Sequence, residues 1–274
     1  MPELPEVELA RRNFERWLEG RRVVRVESEP ARTFRGARRA GLKDIRGKLE
    51  CARRRGKYLL LGFEANRGLL MHFGMTGKLV RRSQGQVEAY SRMRFVLDDG
   101  QVVHFRDPRL FGRVQPAQAD ALLALPVIRA LGPDALLDAP DGPAIEKALG
   151  RGGRHLKVAL MDQARLAGLG NLHAAEALFR ARLHPARKVS TLGPGEWRAL
   201  AAAIRATLAF ALEAEGADEL QYVEEPGAEN PFFVYGRAGL PCRRCQARVK
   251  SFAQAGRTTF YCPHCQPKRQ EPRR

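Results

Sequence analysis

One spacing constrains the fold more than any other feature: Cys242-x2-Cys245-x16-Cys262-x2-Cys265. Two CxxC pairs at this separation place four thiolates tetrahedrally around a zinc ion. All four ligand positions are filled by protein, so the metal holds a fold and performs no chemistry. A redox CxxC or two coincidental knuckles are the plainer alternatives, but two pairs in a basic, turn-rich segment favour zinc. Between the pairs lies "VKSFAQAGRTTFY", which reads as a β-hairpin with Gly256-Arg257 at its turn. An arginine at a hairpin tip suits a phosphate or a groove, although a solvated turn charge has the same sequence. The fifth cysteine, Cys51, has no histidine near it in sequence and reads as a small packing residue. An odd count also argues against a disulfide framework.

The charge balance points to a polyanionic partner. The 274 residues carry a formal net charge of +18. Half of it comes from residues 236–274, with ten Lys/Arg against a single Glu. Nucleic acid is the first partner class such a balance implies, and an acidic membrane surface the second. No apolar run approaches the ~20 residues that span a bilayer, and the N-terminus lacks the apolar core of a secretory signal. The expected location is the cytoplasm, with no membrane association.

The pattern changes several times along the chain. Residues 3–19 read as a helix whose stripe is Val7, Ala10, Phe14 and Trp17, stopped by Gly20. From about 22 to 113 the text is short and β-rich. A "DDGQ" turn joins two alternating runs, as in an antiparallel sandwich. The stretch 133–148 opens with "PDALLDAPDGP" and reads as a linker. Residues 149–235 are helical and Ala/Leu-rich, residues 236–268 form the cysteine module, and 269–274 are a basic tail. The fold class is therefore α+β: an N-terminal domain (1–132) of helix and antiparallel sandwich, a helical domain and a zinc hairpin. Residues 213–229 hold seven acids and no base.

Several further clusters could carry chemistry. "MPELPEVE" places Pro2 and Glu3 at the start, and removal of Met1 would give Pro2 a free secondary amine. Glycines 168 and 170 allow a tight turn before a helix beginning near Asn171, a place where backbone N–H groups bind phosphate. By itself that turn is equally a packing corner. "HFGMTGKL" and "RDPRLFGR" set Met75 and Phe111 beside basic residues, as in proteins that unstack a duplex. Either residue taken alone would more simply be buried. Lys57 precedes an apolar strand, where most lysines are merely solvated. The six histidines show no metal spacing.

Taken together, PELPEVE, "HFGMTGKL", "DPRLFGR", "GLGNLHAAEALF" and "GRTTFYCPHCQ" resemble the bacterial formamidopyrimidine-DNA glycosylase family, in order over nearly the whole chain. The resemblance implies a β-sandwich domain, a helix–two-turns–helix domain and a zinc finger, with double-stranded DNA containing damaged bases held between them by a monomeric enzyme. It implies excision of oxidised or ring-opened purines, followed by cleavage of the abasic strand through β/δ-elimination. Pro2 would be the nucleophile and Glu3 the acid. Lys57, Asn171 and Arg257 would hold phosphates, and Met75, Arg109 and Phe111 would fill the gap left by an everted base. Arg92 stands where the family often has histidine, and Arg154 would take over a usual lysine contact. His173 stands where tyrosine is frequent. The acidic segment 216–234 would cover the everted base, with Glu219 and Glu224 as candidates to read it, or else as plain solvated charges. Two alternatives remain open from residues alone. One is a zinc-dependent DNA-binding module without catalysis. The other is a sister branch preferring oxidised pyrimidines, which typically has Gly in place of Leu4.

Overall fold

The computed structural model describes residues 2–29, 40–214 and 219–268. They divide into two compact units, 2–130 with 219–228, and 131–214 with 229–268.

The first unit begins with α1 (Leu4–Leu18), whose stripe of Leu4, Val7, Phe14 and Trp17 is buried. Glu3 is its N-cap, and the Glu3 N–H donates to the Glu6 carboxylate at 2.8 Å. Gly20, with φ of +72°, takes the chain out of the helix in the left-handed conformation that glycine allows. Eight antiparallel strands follow: β1 (Arg22–Ser28), β2 (Gly47–Arg55), β3 (Tyr58–Phe63), β4 (Arg67–His72), β5 (Lys78–Ser83), β6 (Ser91–Leu97), β7 (Gln101–Arg106) and β8 (Arg113–Gln118). Their order is β5-β7-β6-β1-β2-β3-β4-β8. β1 and β2 pair only at Arg22–Lys48 and Val23–Gly47. Phe63 of β3 nevertheless stacks on Phe95 of β6 at 6.4 Å, although three strand spacings, about 14 Å in a flat sheet, separate those strands. The ribbon must therefore fold over at the short β1–β2 seam, which produces the expected sandwich. Phe14 of α1 meets Phe95 edge-on at 5.1 Å and anchors the helix on this core. The β6–β7 turn is the expected "DDG" turn, with Gly100 at φ +80°.

The second unit contains α3 (Gly142–Leu149), α4 (Leu156–Leu160), α5 (Asn171–Arg180) and α6 (Pro194–Ala214), with the hairpin β9 (Lys250–Gln254) and β10 (Arg257–Tyr261); the short α2 (Pro126–Arg129) closes the first unit. Among the described residues no helix is long and apolar enough to cross a membrane.

Three boundaries differ from those drawn on sequence. The supposed linker 133–148 contains most of α3, because Asp141 caps that helix by accepting from the Ala144 N–H at 2.9 Å. Its Asp-Gly-Pro text is a helix start as much as a turn. Residues 219–228 belong with the sandwich instead of the helical domain, since polar contacts to Gly77 and to Lys78 at the start of β5 hold them there. The hairpin turn is Ala255-Gly256, both at positive φ, as a two-residue type I′ turn requires, and Arg257 is the first residue of β10. The basic tail 269–274 lies outside the described residues.

Candidate nucleic-acid interface

In the first unit, two loops are locked to each other. Asp107 is fully buried. Its carboxylate accepts from the Thr76 hydroxyl at 2.9 Å and from the Gly112 N–H at 2.7 Å. A β-carbon on Gly74 would lie 2.4 Å from the Phe111 carbonyl carbon, so only glycine permits this approach. The result fixes Met75 and Phe111 on adjoining loops. Both remain exposed, at 38% and 50%, against the ordinary tendency of such side chains. Arg109 lies over the Phe111 ring at 4.9 Å, its backbone turned by Leu110 at φ +58°. An exposed methionine, a phenylalanine and a guanidinium held on rigid loops form an apolar wedge with a charged shoulder.

Lys57 occupies the β2–β3 hairpin turn behind Gly56, whose φ is +56°. That turn is tied to α1 by the buried Arg54, which donates to Glu8 at 3.2 Å and to the Gly56 carbonyl at 3.0 Å. Glu8 also pairs with Arg11 and Arg12. Burial opposes ionisation of Glu8, but these three guanidiniums prevail and hold its carboxyl below the usual range. Pro2 and Glu3 are both buried at the start of this same helix. His72 is pushed down to about 4, first by burial and then by the charges of Lys57 and Arg113. It is thus neutral near pH 7, which suits its Nδ1 accepting the Gly74 N–H at 3.1 Å. Arg92 donates to the Asp107 carbonyl at 3.0 Å and to Glu29 at 3.1 Å, so it pins a loop as well as offering charge.

In the second unit, Asn171 opens α5 after the extended Gly170. Its side-chain amide donates to the Thr258 carbonyl at 3.1 Å, and its oxygen accepts from Lys157 Nζ. Lys157 is buried and also donates to the Thr259 hydroxyl at 2.8 Å. Arg257 is exposed on β10 two residues before Thr259, hence on the same strand face. Asn171 and Arg257 are thus brought together with Lys157 between the strand and the helix. Sequence reasoning does not single out Lys157. Its signal is its place in the apolar helix text Leu156, Ala159 and Leu160, where a charged side chain needs a partner. Arg154 is half-exposed and paired with Asp162 at 2.9 Å. His173 is fully buried, edge-on to Phe232.

The four cysteine sulfurs lie within 4.8 Å of one another. A tetrahedral zinc with ~2.3 Å bonds needs S···S separations near 3.8 Å. The Cys245–Cys262 and Cys242–Cys265 pairs, at 3.5 and 4.0 Å, bracket that value. Backbone N–H groups of Arg244 and Cys265 point at the Cys242 and Cys262 sulfurs, as thiolate ligands require. The residues fit one structural zinc. The cysteines share a core with Ala175, Phe179 and Val234. Gln266 bridges Cys262 N–H to the Leu183 carbonyl. The zinc finger is therefore seated on the helical unit.

Comparison with known proteins agrees with this geometry. Residues 1–114 match the formamidopyrimidine-DNA glycosylase N-terminal domain, 131–221 its H2TH domain and 239–268 the zinc finger found in FPG and IleRS. The formamidopyrimidine-DNA glycosylase of Heliobacterium modesticaldum is 38% identical, over 97% of this chain and 100% of that protein. The crystal structure of the MutM (Fpg) protein of Thermus thermophilus superposes with a TM-score of 0.82 at 36% identity, covering 98% of this chain and all of that one. A Lactococcus lactis Fpg mutant in complex with Fapy-dG-containing DNA gives a TM-score of 0.85 at 29% identity, over 97% of this chain and all of that one. With matching domains over most of its length and full-length relatives, the chain belongs to the formamidopyrimidine-DNA glycosylase family.

Proposed function

We propose that this protein is a bifunctional DNA glycosylase and AP lyase that excises oxidised or ring-opened purines from duplex DNA, acting as a cytoplasmic monomer on the nucleoid. The observation that carries the reading is the terminal Pro2-Glu3 pair, set at the head of a helix braced through Glu8 and Arg54 to the Lys57 hairpin. After removal of Met1, the α-amine of Pro2 has a pKa of roughly 7.7–8.0, against about 10.4 for a lysine, so a useful fraction is unprotonated near neutrality.

The chemistry follows from that amine. Pro2 nitrogen forms a bond to sugar C1′ while the damaged base leaves with the electrons of the glycosidic bond and takes up a proton. Glu3 protonates the ring oxygen, the sugar opens, and a secondary amine leaves an iminium with fixed positive charge. That charge acidifies C2′–H; loss of the proton expels the 3′-phosphate, and a second elimination expels the 5′-phosphate. A base inside the stack is beyond reach, so it must be everted and the hole filled. Met75, Arg109 and Phe111 suit that filling role. Lys57, Asn171 and Arg257 suit the phosphates flanking the lesion. A second Lactococcus lactis Fpg structure is bound to DNA containing an AP site, which is the lyase substrate of this reading.

A panel of duplexes carrying 8-oxoguanine, a formamidopyrimidine, an oxidised pyrimidine or an abasic site tests the reading. Purine excision with strand cleavage is expected. Binding without any cleavage would leave a DNA-binding module, and preference for pyrimidines would move the chain to the sister specificity.

A further inference from the structure

Two carboxylates of the acidic segment, Glu219 and Glu225, are paired with cations of the sandwich. Lys78, the first residue of β5, keeps only 5% of its side chain exposed. Its Nζ donates to the Leu220 carbonyl at 3.1 Å and to both oxygens of Glu225, at 3.0 and 3.2 Å. Tyr222, itself buried, donates its hydroxyl to the Gly77 carbonyl at 2.6 Å. Arg82 joins Glu219 at 2.9 Å to Glu88 at 2.8 Å, and Arg106 meets Glu88 at 3.2 Å. The Arg82 hydrogen bond keeps the Glu219 carboxyl below the usual range. Glu219, a candidate base reader on sequence, thus already has a cation. Glu224 is exposed.

These anchors land beside the Met75 loop. Gly77 donates to the Phe73 carbonyl at 2.9 Å, and a β-carbon there would meet that oxygen at 2.4 Å and the Phe105 ring at 2.8 Å. Thr76 is held by Asp107. The loop 73–77 is therefore gripped on one side by Asp107 and Phe111, and on the other by Tyr222 through Gly77. A buried lysine without partners is expensive, so Lys78 and segment 219–225 require each other.

We propose that Lys78 and Tyr222 are positioning residues. They dock segment 219–225 on the root of β5 and thereby fix the Met75 loop in the posture that everts a base. The proposal deepens the glycosylase reading and rests on it for Met75's role. Three cations of this face, Lys78, Arg82 and Arg106, are consumed by the segment and by Glu88, so this part of the basic charge holds protein and does not track phosphate.

The test uses the full-length zinc-loaded protein, with Lys78→Met and Tyr222→Phe. Hydrogen exchange read by mass spectrometry follows residues 219–225. Single-turnover assays follow excision of 8-oxoguanine and, separately, cleavage of a preformed abasic site, where no base has to be pushed out. Lys78→Met should raise exchange in 219–225 roughly tenfold or more, given charge-assisted bonds lost from a buried group, with sheet peptides unchanged. Excision should fall about tenfold while abasic cleavage stays within about twofold. Tyr222→Phe should show the same pattern with smaller amplitude, and it decides the matter alone if Lys78→Met does not fold. Unchanged exchange, faster exchange with unchanged excision, or equal loss of both activities would each overturn the proposal. A parent protein inactive on every duplex would instead sink the glycosylase reading, while the exchange arm would still decide the docking.

Discussion

Replacing Asp107 should loosen both wedge loops at once, by an amount set by its two bonds. The carboxylate is fully buried and accepts from Thr76 and from the buried Gly112 N–H. Asp107→Asn preserves shape. Its oxygen can keep the Gly112 N–H, and its NH2 can donate to Thr76, whose hydroxyl also accepts. What disappears is charge assistance, about 1 kcal/mol per bond, so the cost should be about 2 kcal/mol. Asp107→Ala removes both bonds and leaves a buried N–H unsatisfied, so it should cost about 4 kcal/mol. Urea unfolding measures both as midpoint shifts at constant slope. Because Met75 and Phe111 ride on the affected loops, excision should drop in the order parent, Asn, Ala. An Ala variant within about 1 kcal/mol of the parent, or an Asn variant worse than Ala, would refute the claim that this carboxylate locks the loops.

Other predictions follow from single features. Cys242→Ser should release the zinc and, because the cysteines share a core with Phe179 and Val234, destabilise the helical unit with it; metal analysis and thermal unfolding check this, and an unchanged melting curve in metal-free protein would contradict it. His72 has a folded pKa near 4, below its unfolded value of about 6.5, so its contribution is present above pH 6.5 and is lost as pH falls towards 4. Unfolding free energy should drop by roughly 2 kcal/mol between pH 8 and pH 5 through this residue, a drop that His72→Gln should abolish. Binding to duplex DNA should fall with salt at a log–log slope near −4 to −5 if about five phosphates are neutralised, and Arg257→Ala should reduce that slope by about 1.

Much of this was legible in the sequence because certain residues admit few alternatives. The cysteine spacing, the α1 stripe with Gly20 behind it and the "DDG" turn each specify a local geometry, and each was found. The strands β2, β5 and β8 were harder to read. β2 and β5 carry Arg53, Arg54 and Arg55, and Lys78, Arg81 and Arg82, so their apolar alternation is masked by charges that find partners elsewhere in the chain. β8 contains Pro116, which an edge strand tolerates. Lys157 and the docking of 219–225 depend on partners 102 and 142 residues away, and no local pattern encodes such pairs. Arg92 and Arg154, which follow from the family resemblance alone, each pair with a carboxylate of the chain, Glu29 and Asp162.

The central claim is that the amine of Pro2 becomes covalently joined to the sugar of the damaged nucleotide. Borohydride reduction during reaction with 8-oxoguanine duplex, followed by peptide mapping of the trapped species, tests it directly. The account predicts one adduct, on the N-terminal peptide at Pro2, absent from protein that retains Met1. Trapping on a lysine, or full strand cleavage by protein shown by mass spectrometry to keep Met1, would contradict it.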